Sequence, residues 1–302
     1  MNAHAIVNIL VEKGPQTGAQ LLEHAGMDPL PLWQICRQTP EIRFECIGRR
    51  FVRLDRNVEL YARLSPSIRR EFLTYTVLGL QSQAQGIRAR AGLLREEIRR
   101  ISRAKLDLAQ EAIRDTVQAL DDRQTIQNRI CFLIAGDITY EMAHAVPRPE
   151  VSTGKMVRGS DLDIVAIAED DVPKETLKAL DSAILKKKYF LLVHPNYQEE
   201  IDYLVKDISK VRGQLAFDSF PHMVASKIIH ESRLLYGSEE VYGKVKQMVN
   251  EYGIPEKLAR LERSAEENRR AAEIHLLECE PRQGNEAFLN LFYTREEGDE
   301  IY

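Results

Sequence analysis

Asp161 and Asp163 stand two residues apart in Gly159-Ser160-Asp161-Leu162-Asp163-Ile164-Val165. A third carboxylate, Asp202, follows in Glu200-Ile201-Asp202-Tyr203-Leu204. On a strand, residues i and i+2 point to the same face, so this spacing brings the first two carboxylates together. Like charges placed so repel unless a cation lies between them. The apolar run over 164–168 predicts a strand anchored in a core. Ile201 and Tyr203 put Asp202 on a second strand that can lie beside the first. Three acidic groups gathered on a sheet suit Mg²⁺, or Mn²⁺, and a polyphosphate substrate. Charged residues on a solvent-facing strand with no ion are the plainer alternative.

The elements that must position these groups are legible on either side. The run Ile130-Cys131-Phe132-Leu133-Ile134-Ala135 reads as a short buried strand, and Gly136-Asp137 turns it into a helix over 138–144. A loop follows, carrying Arg148, Lys155 and Arg158 just ahead of the acidic strand. A helix is expected over 173–187, a strand over 189–193 and another over 201–205, giving a mixed sheet with helices between its strands.

Residues 1–60 read as a separate domain. Three short helices precede two alternating runs, 42–46 and 51–54, joined by Ile47-Gly48-Arg49-Arg50 as a hairpin signal. Three helices and a hairpin bearing Arg43, Arg49, Arg50 and Arg53 make a winged helix-turn-helix pattern. Gln34, Arg37 and Gln38 are its candidate groove contacts, with protein contact as the alternative role. Residues 61–125 read as a long helical connector that starts near Ser65-Pro66-Ser67. Arg88, Arg90, Arg95, Arg99, Arg100 and Arg103 form either a phosphate-tracking surface or a solvated face paired with Glu96 and Glu97. The same helix has apolar periodicity enough to pair two subunits as a homodimer. The core spans 126–212, a helical region 213–280 and a polar, acidic tail 281–302, so the overall class is α+β.

The order of strand, Gly-x turn, helix, strand with Asp-x-Asp and strand with a third Asp resembles the DNA polymerase β-like nucleotidyltransferase superfamily over roughly residues 129–210. The resemblance implies a polymerase β-like catalytic core in which Asp161, Asp163 and Asp202 hold two metal ions, with Asp202 also a candidate base. It implies in-line attack of a hydroxyl on the α-phosphorus of an NTP or dNTP, with release of pyrophosphate. Gly136, Asp137, Gly159 and Ser160 would lie against the nucleotide. The family usually has Gly-Gly or Gly-Ser where this chain has Gly136-Asp137. The charge of Asp137 would repel a nearby phosphate, and Lys155 and Arg158 are the candidates to compensate. Lys227, with Ser226 and Tyr236, lies in a region that often binds base, sugar or triphosphate in related enzymes. His144 and His194 read as capping or packing residues, because Mg²⁺ prefers oxygen.

The chain also resembles the Hailong-type anti-phage nucleotidyltransferases, described as making single-stranded DNA oligomers without a template. That resemblance implies an oligonucleotide product and gives tail hydroxyls a role, with Tyr302, Tyr293 and Thr294 as candidate acceptors in a flexible segment. Two other readings stay open. One is a toxin-like enzyme that modifies a protein or transfer RNA. The other is a non-catalytic, nucleotide-sensing DNA-binding regulator.

Bulk properties bound these readings. A net charge of −4 requires any nucleic-acid contact to come from a local patch. Cys36, Cys46, Cys131 and Cys279 are far apart with no Cys-x-x-Cys pair, which fits a reducing cytoplasm and argues against a zinc site. No apolar run approaches the roughly 20 residues that span a bilayer, so no membrane insertion is expected. Met1-Asn2-Ala3-His4 has no basic, signal-like start.

Overall fold

The computed structural model describes residues 2–278 and 286–302; Cys279 and the first residues of the expected acidic tail lie outside them. The chain is a mixed α+β protein with one long helix and small sheets. It forms two compact units, Met1–Ile98 with Glu262–Tyr302, and Arg99–Leu261. That division falls inside the expected connector and inside the expected C-terminal helical region.

In the first unit, α1 (Ala3–Lys13) starts where Asn2 accepts the Ala5 amide. Strand β1 (Gln16–Thr17) leads into α2 (Gly18–Ala25), whose Thr17 and Gln20 form a reciprocal cap. Then come α3 (Pro29–Gln38), β2 (Ile42–Cys46), β3 (Phe51–Leu54), β4 (Ala62–Ser65), α4 (Ile68–Thr74) and β5 (Thr76–Leu80).

Here the structure corrects two expectations. Strands β2 and β3 do not pair with each other: β2 pairs with β5, and β3 pairs with β4. The segment 47–50 therefore links two sheets instead of closing a wing. Strand β5 also lies inside the region expected to be helical, held between β1 and β2. Gln34 and Gln38 donate to the Leu276 and Leu277 carbonyls, and Arg37 stacks over Phe44, so the candidate groove residues serve intramolecular contacts.

Helix α5 (Ala84–Gln118) runs from the first unit into the second. The second unit continues with α6 (Arg123–Arg129), β6 (Ile130–Ile134), a 3-10 turn at Gly136–Tyr140, β7 (Pro147–Pro149), β8 (Met156–Arg158), β9 (Leu162–Ala168), α7 (Lys174–Val193), β10 (Ile201–Asp207), α8 (Ile208–Gln214), α9 (Phe220–Glu231), β11 (Arg233–Gly237) and α10 (Glu239–Glu251). The run 189–193, expected to be a strand, is the last part of α7. The expected helix over 138–144 is only the 3-10 turn.

The sheet order is β10-β9-β6-β11, with β10 and β9 parallel and the other pairs antiparallel. Alternation along β9 sends Ile164 and Ala166 to one core and Val165 and Ile167 to another, so both faces are covered. Helix α7 supplies the crossover that parallel β9 and β10 require.

The first unit is completed by α11 (Ile254–Glu278), which starts in the second, and by α12 (Glu286–Phe292). Phe288 and Phe292 are buried with Trp33, Leu32 and Phe72. Beyond α12, Arg70 pairs with Glu300 and Glu297, and the Arg69 guanidinium lies between the Tyr293 and Tyr302 rings. The described part of the acidic tail is thus docked by two consecutive arginines instead of being free. Among the described residues no helix is long and apolar enough to cross a membrane.

Docking of the C-terminal segment has a measurable energy. Phe292→Ala should cost about 3–5 kcal/mol in urea unfolding, as for other buried aromatic truncations. A loss within about 0.5 kcal/mol, the level of an exposed position, would contradict the docked arrangement.

Candidate functional site

Asp163 and Asp202 are register partners on parallel β9 and β10, so their side chains share a face about 4.8 Å apart along the sheet. This edge of the sheet is also where β6 ends and the chain turns at Gly136. Gly136 has φ +69°, and a Cβ there would lie 2.1 Å from Asp163 Oδ2. Only glycine allows the turn and the carboxylate to occupy this space. Gly159 plays the same part on the strand's approach: at φ +66° its missing Cβ would meet the His144 carbonyl oxygen at 1.9 Å.

The expected nucleotide-site residues fall into two groups. Asp137 accepts the Ser160 hydroxyl at 2.9 Å, and the Ser160 oxygen accepts the His144 amide. Ser160 and His144 are buried, and His144 Nδ1 accepts the Val146 amide, so this imidazole holds a turn. Lys155 and Arg158 are exposed, Lys155 at the tip of the β7–β8 hairpin and Arg158 at the end of β8. Lys227, on α9, is engaged with Glu231 at 2.5 Å and lies over the Tyr140 ring. Ser226 donates to the Gln214 carbonyl, Tyr236 accepts from Gln127, and the His194 ring packs with Phe190 and Tyr197. Tyr302, Tyr293 and Thr294 belong to the first unit, where the Tyr302 hydroxyl donates to Glu300 at 2.7 Å and Thr294 is buried.

Two participants, Glu231 and Lys188, were not named from the sequence, and Arg148 was placed on the loop ahead of the acidic strand without a role of its own. Glu231 accepts from Lys227, from the Tyr140 hydroxyl and from the Gly136 amide at 3.4 Å, tying α9 to the turn. Its only advance signal was the i, i+4 spacing from Lys227. Arg148 on β7 bridges Asp161 and Glu200. Lys188 on α7 reaches Asp202 at 3.3 Å.

The electrostatics single out one group. Asp161, Asp202, Glu200 and Glu231 each have a basic partner. Asp163 makes no ion pair among the described residues. Burial, then the nearby charges of Asp137, Asp202 and Glu231, push its carboxyl up to about 7, with Lys227 opposing. Near neutrality this position is balanced between taking a proton and taking a cation.

The donor set is all oxygen and suits a hard divalent ion such as Mg²⁺. Asp163 fits that role directly, and Asp202, in register beside it, fits once Lys188 lets go. Asp161 fits it once Arg148 lets go. As they stand, no group of three or more His, Cys, Asp or Glu side chains among the described residues is arranged to hold a metal ion.

No protein-family model matches the chain, and no curated protein and no solved structure matches it either.

Because Asp163 binds its proton more tightly folded than unfolded, its stabilising contribution is complete below pH about 4 and is lost as pH rises through about 7. Asp163→Asn cannot ionise. In metal-free buffer it should gain on the wild type by on the order of 2–4 kcal/mol between about pH 4.5 and pH 8, measured by denaturant unfolding. A difference between the two proteins that stays constant with pH would contradict the assignment.

Proposed function

We propose that this chain is a metal-dependent nucleotidyltransferase of the DNA polymerase β-like kind, moving a nucleoside monophosphate from an NTP or dNTP to a hydroxyl acceptor and releasing pyrophosphate. The observation that carries the reading is Asp163, in register with Asp202, pressed against the Gly136 turn and lacking a cationic partner. A structural carboxylate would be neutralised by a neighbour, as Asp161, Asp202 and Glu231 are. An unneutralised one at a glycine turn suits a site that receives a cation with its substrate.

Asp161, Asp163 and Asp202 would hold Mg²⁺ or Mn²⁺, which when bound supplies charge to the phosphates and lowers the pKa of the acceptor hydroxyl. The chain's own groups do the rest. Gly136 leaves room at the turn, and Glu231 fixes that turn through its amide. Asp202 is exposed, which suits a group that accepts the incoming hydroxyl proton. Lys155 and Arg158, exposed on the β7–β8 hairpin, suit the triphosphate tail.

The acceptor we propose is an oligonucleotide or a hydroxyl of the chain itself. Template-independent synthesis of single-stranded DNA in anti-phage defence is the expectation that follows from the resemblance. A tail acceptor at Tyr302 has first to leave Glu300. For the first unit we propose a winged-helix-like module in which β2 and β5 form the ribbon. The engagement of Gln34 and Gln38 within the chain favours protein contact over groove reading.

A screen of ribo- and deoxynucleoside triphosphates with Mg²⁺ or Mn²⁺, read by pyrophosphate release and by intact mass of the protein, tests this. Asp163→Ala and Asp202→Ala should each lower the rate on the order of a hundredfold or more. Pyrophosphate release with every triphosphate at the no-enzyme rate would end the reading. An added mass of nucleotide on the protein would identify a self acceptor.

A further inference from the structure

Arg148 sits at the middle of β7, paired with Val157 of β8 in a two-stranded hairpin. Its Nε donates to the Gly159 carbonyl at 3.2 Å. Its Nη2 donates to both Asp161 Oδ1 and Glu200 Oε2, the latter at 2.9 Å. Glu200 is buried, and Asp161 is half-buried. The remaining terminal nitrogen, Nη1, makes no bond among the described residues and is not enclosed. The hairpin is stiff at its tip, where Glu150 accepts the hydroxyls and amides of Ser152 and Thr153.

We propose that Arg148 is a charge-exchange latch: it closes over Asp161 and Glu200 in the free protein and passes to a phosphate oxygen when a nucleoside triphosphate arrives with its divalent cation. This rests on the nucleotidyl-transfer reading of the site. The physical reason is exclusion. A guanidinium on Asp161 Oδ1 weakens the binding of a divalent cation to the same carboxylate, because the two cations repel at that range and share one negative charge. A divalent cation alone binds against that repulsion, or displaces Arg148 and leaves it Glu200 as its one remaining anionic partner. A triphosphate brings that anion, and a guanidinium matches phosphate oxygens with paired donors. Cation and nucleotide then bind with positive coupling, each improving the uptake of the other. The geometry makes Arg148 a positioning residue at the entry of the site, ahead of Lys155 and Arg158, which lie further out and exposed.

Calorimetric titration of Mn²⁺ into the full chain, with and without a saturating non-hydrolysable nucleoside triphosphate, tests the latch in wild type, Arg148→Ala and Arg148→Lys. Arg148→Ala should take Mn²⁺ alone about tenfold more tightly than wild type. The triphosphate should tighten Mn²⁺ binding by about tenfold in wild type and much less in Arg148→Ala, within the usual range of coupling between sites. Arg148→Lys keeps a cation that reaches one carboxylate at a time. It should fall between the two, and it carries the test if the alanine variant does not fold. Equal Mn²⁺ affinity in wild type and the variants overturns the latch and leaves the nucleotide reading intact. Tighter Mn²⁺ binding in Arg148→Ala with no nucleotide uptake by any protein supports exclusion of the cation by Arg148 and overturns the nucleotidyl-transfer reading.

Discussion

One uncompensated carboxylate organises this molecule's candidate site. Asp163 is pressed on the Gly136 turn with Asp137, Asp202 and Glu231 around it; among the described residues it has no ion pair, and the one opposing charge, Lys227, is committed to Glu231. Burial of a carboxylate without a partner disfavours its charged form, and neighbouring acids add to the cost. The surroundings are otherwise well neutralised. Arg148 serves Asp161 and Glu200, Lys188 serves Asp202, Lys227 serves Glu231, and Lys105 serves Glu199. Asp137 accepts the Ser160 hydroxyl, so among these acids Asp163 is the one left without an ion pair or side-chain donor, and its cost lies where a ligand can relieve it.

The architecture of the second unit explains why that arrangement holds. Strands β9 and β10 are parallel and in register, so Asp163 and Asp202 meet at one end of the sheet through backbone pairing and need no side-chain contact to stay adjacent. Both faces of the sheet are packed, so the strands have little freedom to slip. At the same edge β6 ends at Gly136, and α9 brings Glu231 onto the turn. The carboxylates therefore stand on regular elements, while the basic residues that can exchange partners stand on a small hairpin.

The legible parts of this chain were those whose signal is local. Strands β6, β9 and β10 followed from apolar runs bounded by turns, whereas Asp161, expected on the strand with Asp163, stands just before β9 and is held by Arg148. The run 189–193 misled because five apolar residues do not by themselves distinguish a strand from a helix end. Thr76–Leu80 was missed because its strand depends on β1 and β2, which are distant in sequence. The hairpin expected over 42–54 failed because β2 takes the distant β5 while β3 pairs forward with the next strand, β4. The tail looked free because its acidic residues find their arginines more than 220 positions away. Glu231, Lys188 and the pairing of Arg148 with Asp161 and Glu200 were hidden because they are set by tertiary contacts that no short motif encodes.

Site-resolved carboxyl NMR reads the charge state of Asp163 directly. In metal-free buffer the Asp163 carboxyl should titrate with a midpoint near 7, well above the ordinary aspartate value near 4. On saturation with Mg²⁺ and a non-hydrolysable triphosphate, the midpoint should fall below the ordinary aspartate range near 4. A metal-free midpoint near 4, unmoved by the cation and nucleotide, would contradict the account.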